Sequence, residues 1–204
     1  MRLVFASNNA HKLAEVRQIM PRGVEVLSLH DIGFESEIEE TGTTLEENSR
    51  IKAATVAAFI SESLEVRGER IDGVFADDTG LEIEALGGMP GVYTARWAGE
   101  PAANRKKALA ELADKDNRKS QFRTVITLIK RKGERLKDEG IVQVEGIVRG
   151  QIATEEYGEG GFGYDPIFIP EGYDKTFGEL PAEIKNSISH RARALEELVK
   201  LLSC

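Results

Sequence analysis

FRTVITLIKRKGERLKDEGIVQVEGIVRGQI, residues 122–152, is the stretch on which the fold turns. It holds two long runs rich in Val, Ile, Thr and Leu, Phe122 to Lys130 and Ile141 to Ile152, separated by a charged turn around Gly133. β-branched residues fit a pleated surface, so two such runs on either side of a polar turn read as a β-hairpin. Before the hairpin, strands and helices alternate. Leu3-Val4-Phe5-Ala6 is a short buried strand, followed by a helical pattern through Leu13, Val16, Ile19 and Met20, and Val24 to Leu27 is a second strand. Ile32 to Gly42 is Glu-rich and aperiodic, a loop. A long helix follows, opened by the overlapping capping boxes Thr43-x-x-Glu46 and Thr44-x-x-Glu47 and running to about Glu65. Val74-Phe75-Ala76 is a strand expected to stop at Asp77-Asp78, and Leu81 to Glu84 alternates like another.

Gly87 to Gly99 reads as a long loop, Pro101 to Leu112 as a helix with Pro in its first turn, and Pro166 to Ile169 as a strand after a glycine-rich turn. The chain closes on a helix with Ile188, Ala192, Leu195, Leu198 and Leu202 on one face. Alternation with a hairpin in the middle gives an α/β protein, a long mixed β-sheet flanked by helices.

Composition bounds the function. Of 204 residues, 35 are acidic and 27 basic, a net charge of −8, and 41% are hydrophobic. A chain of this size can bury roughly 70% of its surface and needs no staple. The one cysteine, Cys204, allows no disulfide framework and no cysteine metal cluster. No apolar stretch approaches the ~20 residues of a membrane span, and the N-terminal apolar run is too short for a signal peptide, so a cytoplasmic location is expected. An acidic surface disfavours a DNA or RNA polymer as partner, but not a small polyanion bound by local charge.

Five segments carry candidate chemistry. Ser7-Asn8-Asn9-Ala10-His11-Lys12 joins a strand to a helix N-terminus, where backbone N–H groups and a lysine suit phosphate; the plain alternative is an Asn-capped helix. Asp77-Asp78-Thr79-Gly80, with Glu39-Glu40, offers carboxylates for a hard cation or a base, or simply a turn. Asn48 and Lys52 share a helix face with Leu45, which by spacing alone reads as a solvated lysine. Phe162-Gly163-Tyr164-Asp165 places aromatics that could stack on a base within a glycine-rich turn, with Asp165 as acceptor. Last, Lys185 and His190-Arg191 flank Ser187 and Ser189, either of which could cap a new helix and bring the cations into one cleft.

Taken in order, these blocks with Glu39 to Gly42, Glu47-Asn48, Lys52-Ala53, Leu86 to Gly91 and Ser189 to Arg191 resemble the inosine triphosphate pyrophosphatase family, the XTP/dITP diphosphatases, from Arg2 to Leu202. The resemblance implies a single two-lobed domain over residues 1–204 with a nucleotide in a central cleft, and a likeness extending to a homodimer. It implies Mg²⁺-dependent hydrolysis of ITP, dITP and XTP at the α–β phosphoanhydride to monophosphate and pyrophosphate. Under it, Ser7 to Lys12 bind the triphosphate with Lys52. Asp78 accepts the proton and, with Glu39 (or its neighbour Glu40), binds the metal. Thr79, Phe162 to Asp165, Lys185, His190 and Arg191 bind substrate. Two donors from His190 and Arg191 toward a 6-oxo group would leave an unpaired donor against adenine, a cost of about 1–3 kcal/mol each. A pyrophosphatase for pyrimidine or modified nucleotides would need a different base pocket, and a silent nucleotide-binding module would be expected to lack the four carboxylates at 39, 40, 77 and 78.

Overall fold

Leu3 and Phe5 pack into one buried cluster while Val4 and Ala6 pack into another, so the first strand alternates between two apolar layers. In the computed structural model, which describes residues 1–62, 70–132 and 135–202, this strand is β1 (Arg2–Phe5). It lies between β2 (Glu25–Leu27) and β3 (Gly73–Ile83), parallel to both. The layer holding Val4, Val74 and Ala76 is covered by Ala53, Val56, Ala57 and Ile60 of α2 (Leu45–Glu62). The layer holding Leu3, Phe5 and Phe75 is covered by Val16 of α1 (Ala10–Ile19) and by Ala194, Leu195 and Leu198 of the last helix.

The remaining elements are β4 (Pro90–Gly91), α3 (Pro101–Glu111), β5 (Lys119–Lys132), β6 (Arg135–Ile152), β7 (Phe168–Pro170), α4 (Ala182–Ile188) and α5 (His190–Leu202). The sheet runs β2-β1-β3-β5-β6-β7, with the short β4 antiparallel to β3 and β7 antiparallel to β6. It is the mixed α/β sheet the alternation predicts. The chain divides into two compact units, one of Met1–Asp78, Val125–Glu145 and Ala194–Cys204, the other of Thr79–Thr124 and Gly146–Arg193. The divisions fall inside β3, β5 and β6. The second unit has its own core, built from Leu81, Ile83, Leu112, Phe122, Phe168 and Phe177 among others.

Three local expectations change. Asp77 to Gly80 is neither a turn nor a strand end: β3 passes straight through it, and the two strands expected at 74–76 and 81–84 are one. Buried carboxylates are tolerated in a strand when lysines pair them, and both aspartates have such partners. The closing helix is two helices, because Ser189 adopts extended backbone at φ −65°, ψ 158°. Its amide still donates to the Lys185 carbonyl (2.9 Å), ending α4, while its hydroxyl accepts from Ala192 N (3.1 Å), starting α5. Of the two serines able to cap, Ser189 does so; Ser187 Oγ donates to the Ile184 carbonyl instead. Third, the hairpin strands extend beyond their expected ends. Glu65, Gly133 and Cys204 lie outside the described residues.

At the start of α2 one of the two capping boxes is used. Thr44 Oγ1 accepts from Glu47 N (3.2 Å), and the Glu47 carboxylate reaches back to Thr43 N and Oγ1 (2.6 and 2.9 Å).

Candidate active site

In the first unit, β1 pairs with β3 only as far as Phe5↔Phe75, and β3 continues without it. Asp77 and Asp78 therefore fall just past the last β1 partner, at a strand edge, with side chains on opposite faces because successive residues alternate. Each face supplies a lysine. Lys12, in the first turn of α1, reaches Asp77 (Nζ–Oδ1 2.9 Å); Lys52 of α2 reaches Asp78 (Nζ–Oδ1 3.1 Å) and Glu40 (Nζ–Oε1 2.6 Å). Lys52, which spacing alone would leave in solvent, is only 7% exposed. Towards its N-terminal end the buried face of α2 turns polar, with Asn48, Ser49 and Lys52 beside Leu45 and Ala53.

Asn48 fixes the acidic loop. It is fully buried, and its Oδ1 accepts from Gly42 N (2.8 Å). A Cβ on Gly42 would meet Glu47 Cβ at 2.6 Å and Asn48 Oδ1 at 2.7 Å, so only glycine lets the loop close onto the helix here. Ser7 Oγ accepts from Asn9 N (3.3 Å), and Asn9 Oδ1 accepts from Lys12 N (3.1 Å), capping α1 as its sequence suggests. Asn8, Asn9, Ala10 and His11 are exposed around it.

The charges do not balance. Burial raises the Asp78 carboxyl most, Lys52 and Lys12 pull it down, Glu40 pushes it up, and the outcome is a pKa above the ordinary 3.8. Burial would lower Lys52, but Asp78, Asp77 and Glu40 outweigh it, and its pKa is raised. One Asp78 oxygen, Oδ2, is buried with no hydrogen-bond partner among the described residues, as is Asn48 Nδ2. A carboxylate oxygen in that state suits a proton or a cation. No group of three or more His, Cys, Asp or Glu able to hold a metal occurs among the described residues. The donor set fits a cation held by one or two carboxylates and completed by substrate phosphates, the usual arrangement for Mg²⁺. Of the two neighbouring glutamates, Glu40 shares Lys52 with Asp78, whereas Glu39 is exposed.

The second unit holds a different cluster. Asp165 Oδ2 accepts from Lys185 Nζ (2.7 Å) and from Phe162 N (2.6 Å), and both charged groups are buried. Gly161, at φ +72°, permits this: a Cβ there would collide with the Asp165 carboxylate. Lys185 Nζ also lies 4.7 Å from the centroid of the Phe162 ring, and Arg191 Cζ 5.8 Å from it. The Gly163 carbonyl accepts from Arg105 Nη1 (2.9 Å). Tyr164 is a core residue whose hydroxyl donates to the Thr94 carbonyl (3.1 Å), with burial raising its pKa. His190 is buried, its ring stacked on Phe122 at 4.7 Å and its Nδ1 2.6 Å from Thr124 Oγ1; Thr79 Oγ1 is 2.8 Å from the same hydroxyl.

The structure thus gathers Lys12, Lys52, Asp78 and Glu40 in one unit, and Phe162, Asp165, Lys185, His190 and Arg191 in the other. Asp77 and Asn48, candidates by their motifs, join the first cluster, and Phe122 and Thr124, which no motif marks, join the second. Asn48 was findable from its four-residue spacing to Lys52. Thr124 was not, since nothing local marks one threonine of a β-strand. A groove of about 680 Å³ lined by Glu82, Lys119, Arg149 and Tyr173 among others contains none of these residues.

The chain is similar to known proteins over its whole length. The model of the Ham1 family matches residues 3–201. A dITP/XTP pyrophosphatase of Flavobacterium johnsoniae is 45% identical over 206 residues, covering 100% of this chain and 98% of the relative. One of Bacillus subtilis is 47% identical, covering 98% and 96%. Among solved structures, the Staphylococcus aureus Ham1 protein superposes with a TM-score of 0.83 at 37% identity, covering 100% of this chain and 98% of that one.

Proposed function

The chain belongs to the Ham1 family, and we propose that it hydrolyses the aberrant purine nucleoside triphosphates dITP, ITP and XTP at the α–β phosphoanhydride, releasing nucleoside monophosphate and pyrophosphate. The observation that carries the chemistry is Asp78 Oδ2, buried, unpartnered and on a carboxyl whose pKa is raised. Raising a carboxylate's pKa toward neutrality makes it a better base, and Asp78 takes the proton as water adds and the α–β bond breaks. Lys52 and Lys12 set fixed positive charge beside it, where charge develops on the phosphates. Ser7, Asn8, Asn9, Ala10 and His11 carry the backbone around a helix N-terminus that favours phosphate.

Mg²⁺ is the proposed cofactor, held by Asp78 and Glu40. When bound it would neutralise phosphate charge and polarise the reacting oxygens. Thr79, Phe162, Gly163, Tyr164, Asp165, Lys185, His190 and Arg191 are assigned to the rest of the nucleotide. Phe162 offers a ring face, and the Lys185–Asp165 pair holds the loop that carries it.

The same reading makes the chain one two-lobed domain and a cytoplasmic homodimer with no membrane or nucleic-acid polymer as partner. No helix among the described residues is long and apolar enough to cross a membrane, and Met89 and Tyr93 are exposed apolar side chains available to a second copy. Incubation with ITP, XTP or ATP and Mg²⁺ tests the activity. Pyrophosphate with monophosphate, faster from ITP and XTP than from ATP, is the expected outcome. Orthophosphate as first product, or equal rates on ATP and ITP, would overturn it. Light scattering of the purified protein tests the dimer.

A further inference from the structure

His190 sits at the end of a line of hydroxyls contained within the second unit: Thr79 Oγ1, 2.8 Å to Thr124 Oγ1, 2.6 Å to His190 Nδ1. Thr124 is fully buried. Its hydroxyl has one proton to give and these two neighbours as partners, so the line has a direction. Either Thr79 donates to Thr124 and Thr124 to the imidazole lone pair, or the imidazole N–H donates to Thr124 and Thr124 to Thr79. In either arrangement the 2.6 Å contact makes Thr124 the partner that sets which ring nitrogen of His190 carries the hydrogen. The Phe122 ring, stacked on the imidazole at 28°, keeps its plane fixed so that the contact is not lost by rotation.

We infer that Thr124 is a positioning and specificity-determining residue: by donating to Nδ1 it holds His190 as the neutral tautomer that carries its hydrogen on Nε2. A ring nitrogen's role is set by the hydrogen bond its partner makes. An imidazole in this tautomer presents a donor, which matches the 6-oxo group of hypoxanthine or xanthine and opposes the 6-amino group of adenine. This last step rests on the proposed function, which places His190 at the base. The hydroxyl line itself does not. Thr79 then acts at one remove, since its hydroxyl occupies the Thr124 lone pair and leaves the Thr124 proton pointed at the ring.

The test reads the tautomer directly. The chain has only three histidines, His11, His30 and His190, so nitrogen-15 NMR of the uniformly labelled protein, with His190→Gln as the assignment control, resolves both ring nitrogens of His190. Near neutral pH the wild type should show His190 protonated on Nε2 alone. Thr124→Val should lose that pure state, and Thr124→Ser, which keeps the hydroxyl, should restore it. In parallel, the ratio of kcat/KM for ITP over ATP should fall at least about fivefold in Thr124→Val and return in Thr124→Ser, the low end expected for one misplaced donor. Protonation on Nδ1, or on both nitrogens, in the wild type overturns the proposal even where the valine variant does not fold. So does a valine variant with an unchanged tautomer, and a changed tautomer with an unchanged ratio overturns the specificity role. Failure to hydrolyse any of these nucleotides would instead overturn the proposed function, leaving the tautomer result standing.

Discussion

Two buried acid–lysine clusters, one in each unit, are built from the same residue types and end in opposite electrostatic states. Around Lys185 the carboxylate oxygen Asp165 Oδ2 takes two donors at 2.7 and 2.6 Å. Around Lys52 one ammonium is shared by Glu40 and Asp78, and Asp78 Oδ2 is left with none. A buried ion pair whose groups are well bonded holds shape; a buried carboxylate with an idle oxygen costs stability and keeps reactivity. The first arrangement orders a loop and the aromatic ring it carries. The second waits for a proton or a cation.

The most severe way to break this contrast is to remove the idle carboxylate. Asp78→Asn should lower kcat/KM for ITP by roughly 10²- to 10⁴-fold, the range of a lost general base, with the fold retained by circular dichroism. Breaking the other cluster should act on stability instead. Asp165→Asn removes the carboxylate charge 2.7 Å from the buried Lys185 and should cost about 3–5 kcal/mol in urea unfolding. If the pair is scaffold, the double variant Asp165→Asn/Lys185→Met should recover part of that loss, which a reactive pair would not explain. Smaller is the cap between α4 and α5: Ser189→Ala should cost about 1 kcal/mol by the same measurement.

The gentlest test sharpens the contrast through pH. Asp78 titrates above its ordinary 3.8, so its neutral form is the one the fold prefers. That contribution is fully present below about pH 3.8 and is lost as pH rises through the raised value. In the absence of metal, Asp78→Asn should therefore melt higher than wild type at neutral pH, the advantage vanishing as pH falls toward 3.8. A melting curve that is lower at neutral pH would reverse the reading of Asp78 as uncompensated.

What could be read in advance follows from distance along the chain. β1, α1, the capping box of α2, and Ser189 as one of two candidate helix breaks are all short-range signals, and each has its counterpart in the structure. Asp77 to Gly80 looked like a turn because two adjacent carboxylates belong in solvent unless something pairs them. Their partners sit 65 and 26 residues away. Spacing alone leaves Lys52 in solvent for the converse reason, since a lone lysine on a helix has no local mark of burial. The motif residues that resemble the pyrophosphatases include both Glu39 and Glu40, and only the position of Lys52 in space sets Glu40, which bonds it, apart from the exposed Glu39.

The bond from Gly42 N to Asn48 Oδ1 has a further consequence, for the order in which the first cluster can assemble. It spans six residues, and the Glu40–Lys52 contact twelve, against 26 for Lys52–Asp78 and 65 for Lys12–Asp77. Closing a loop costs more entropy the longer it is, by about 0.6 kcal/mol for each doubling. The acidic loop is thus the part of the cluster a nascent chain can close most cheaply, with little more than the first turns of α2. Asp78, whose carboxyl burial pushes up, is brought in by a longer closure, to a lysine that already has an anion beside it.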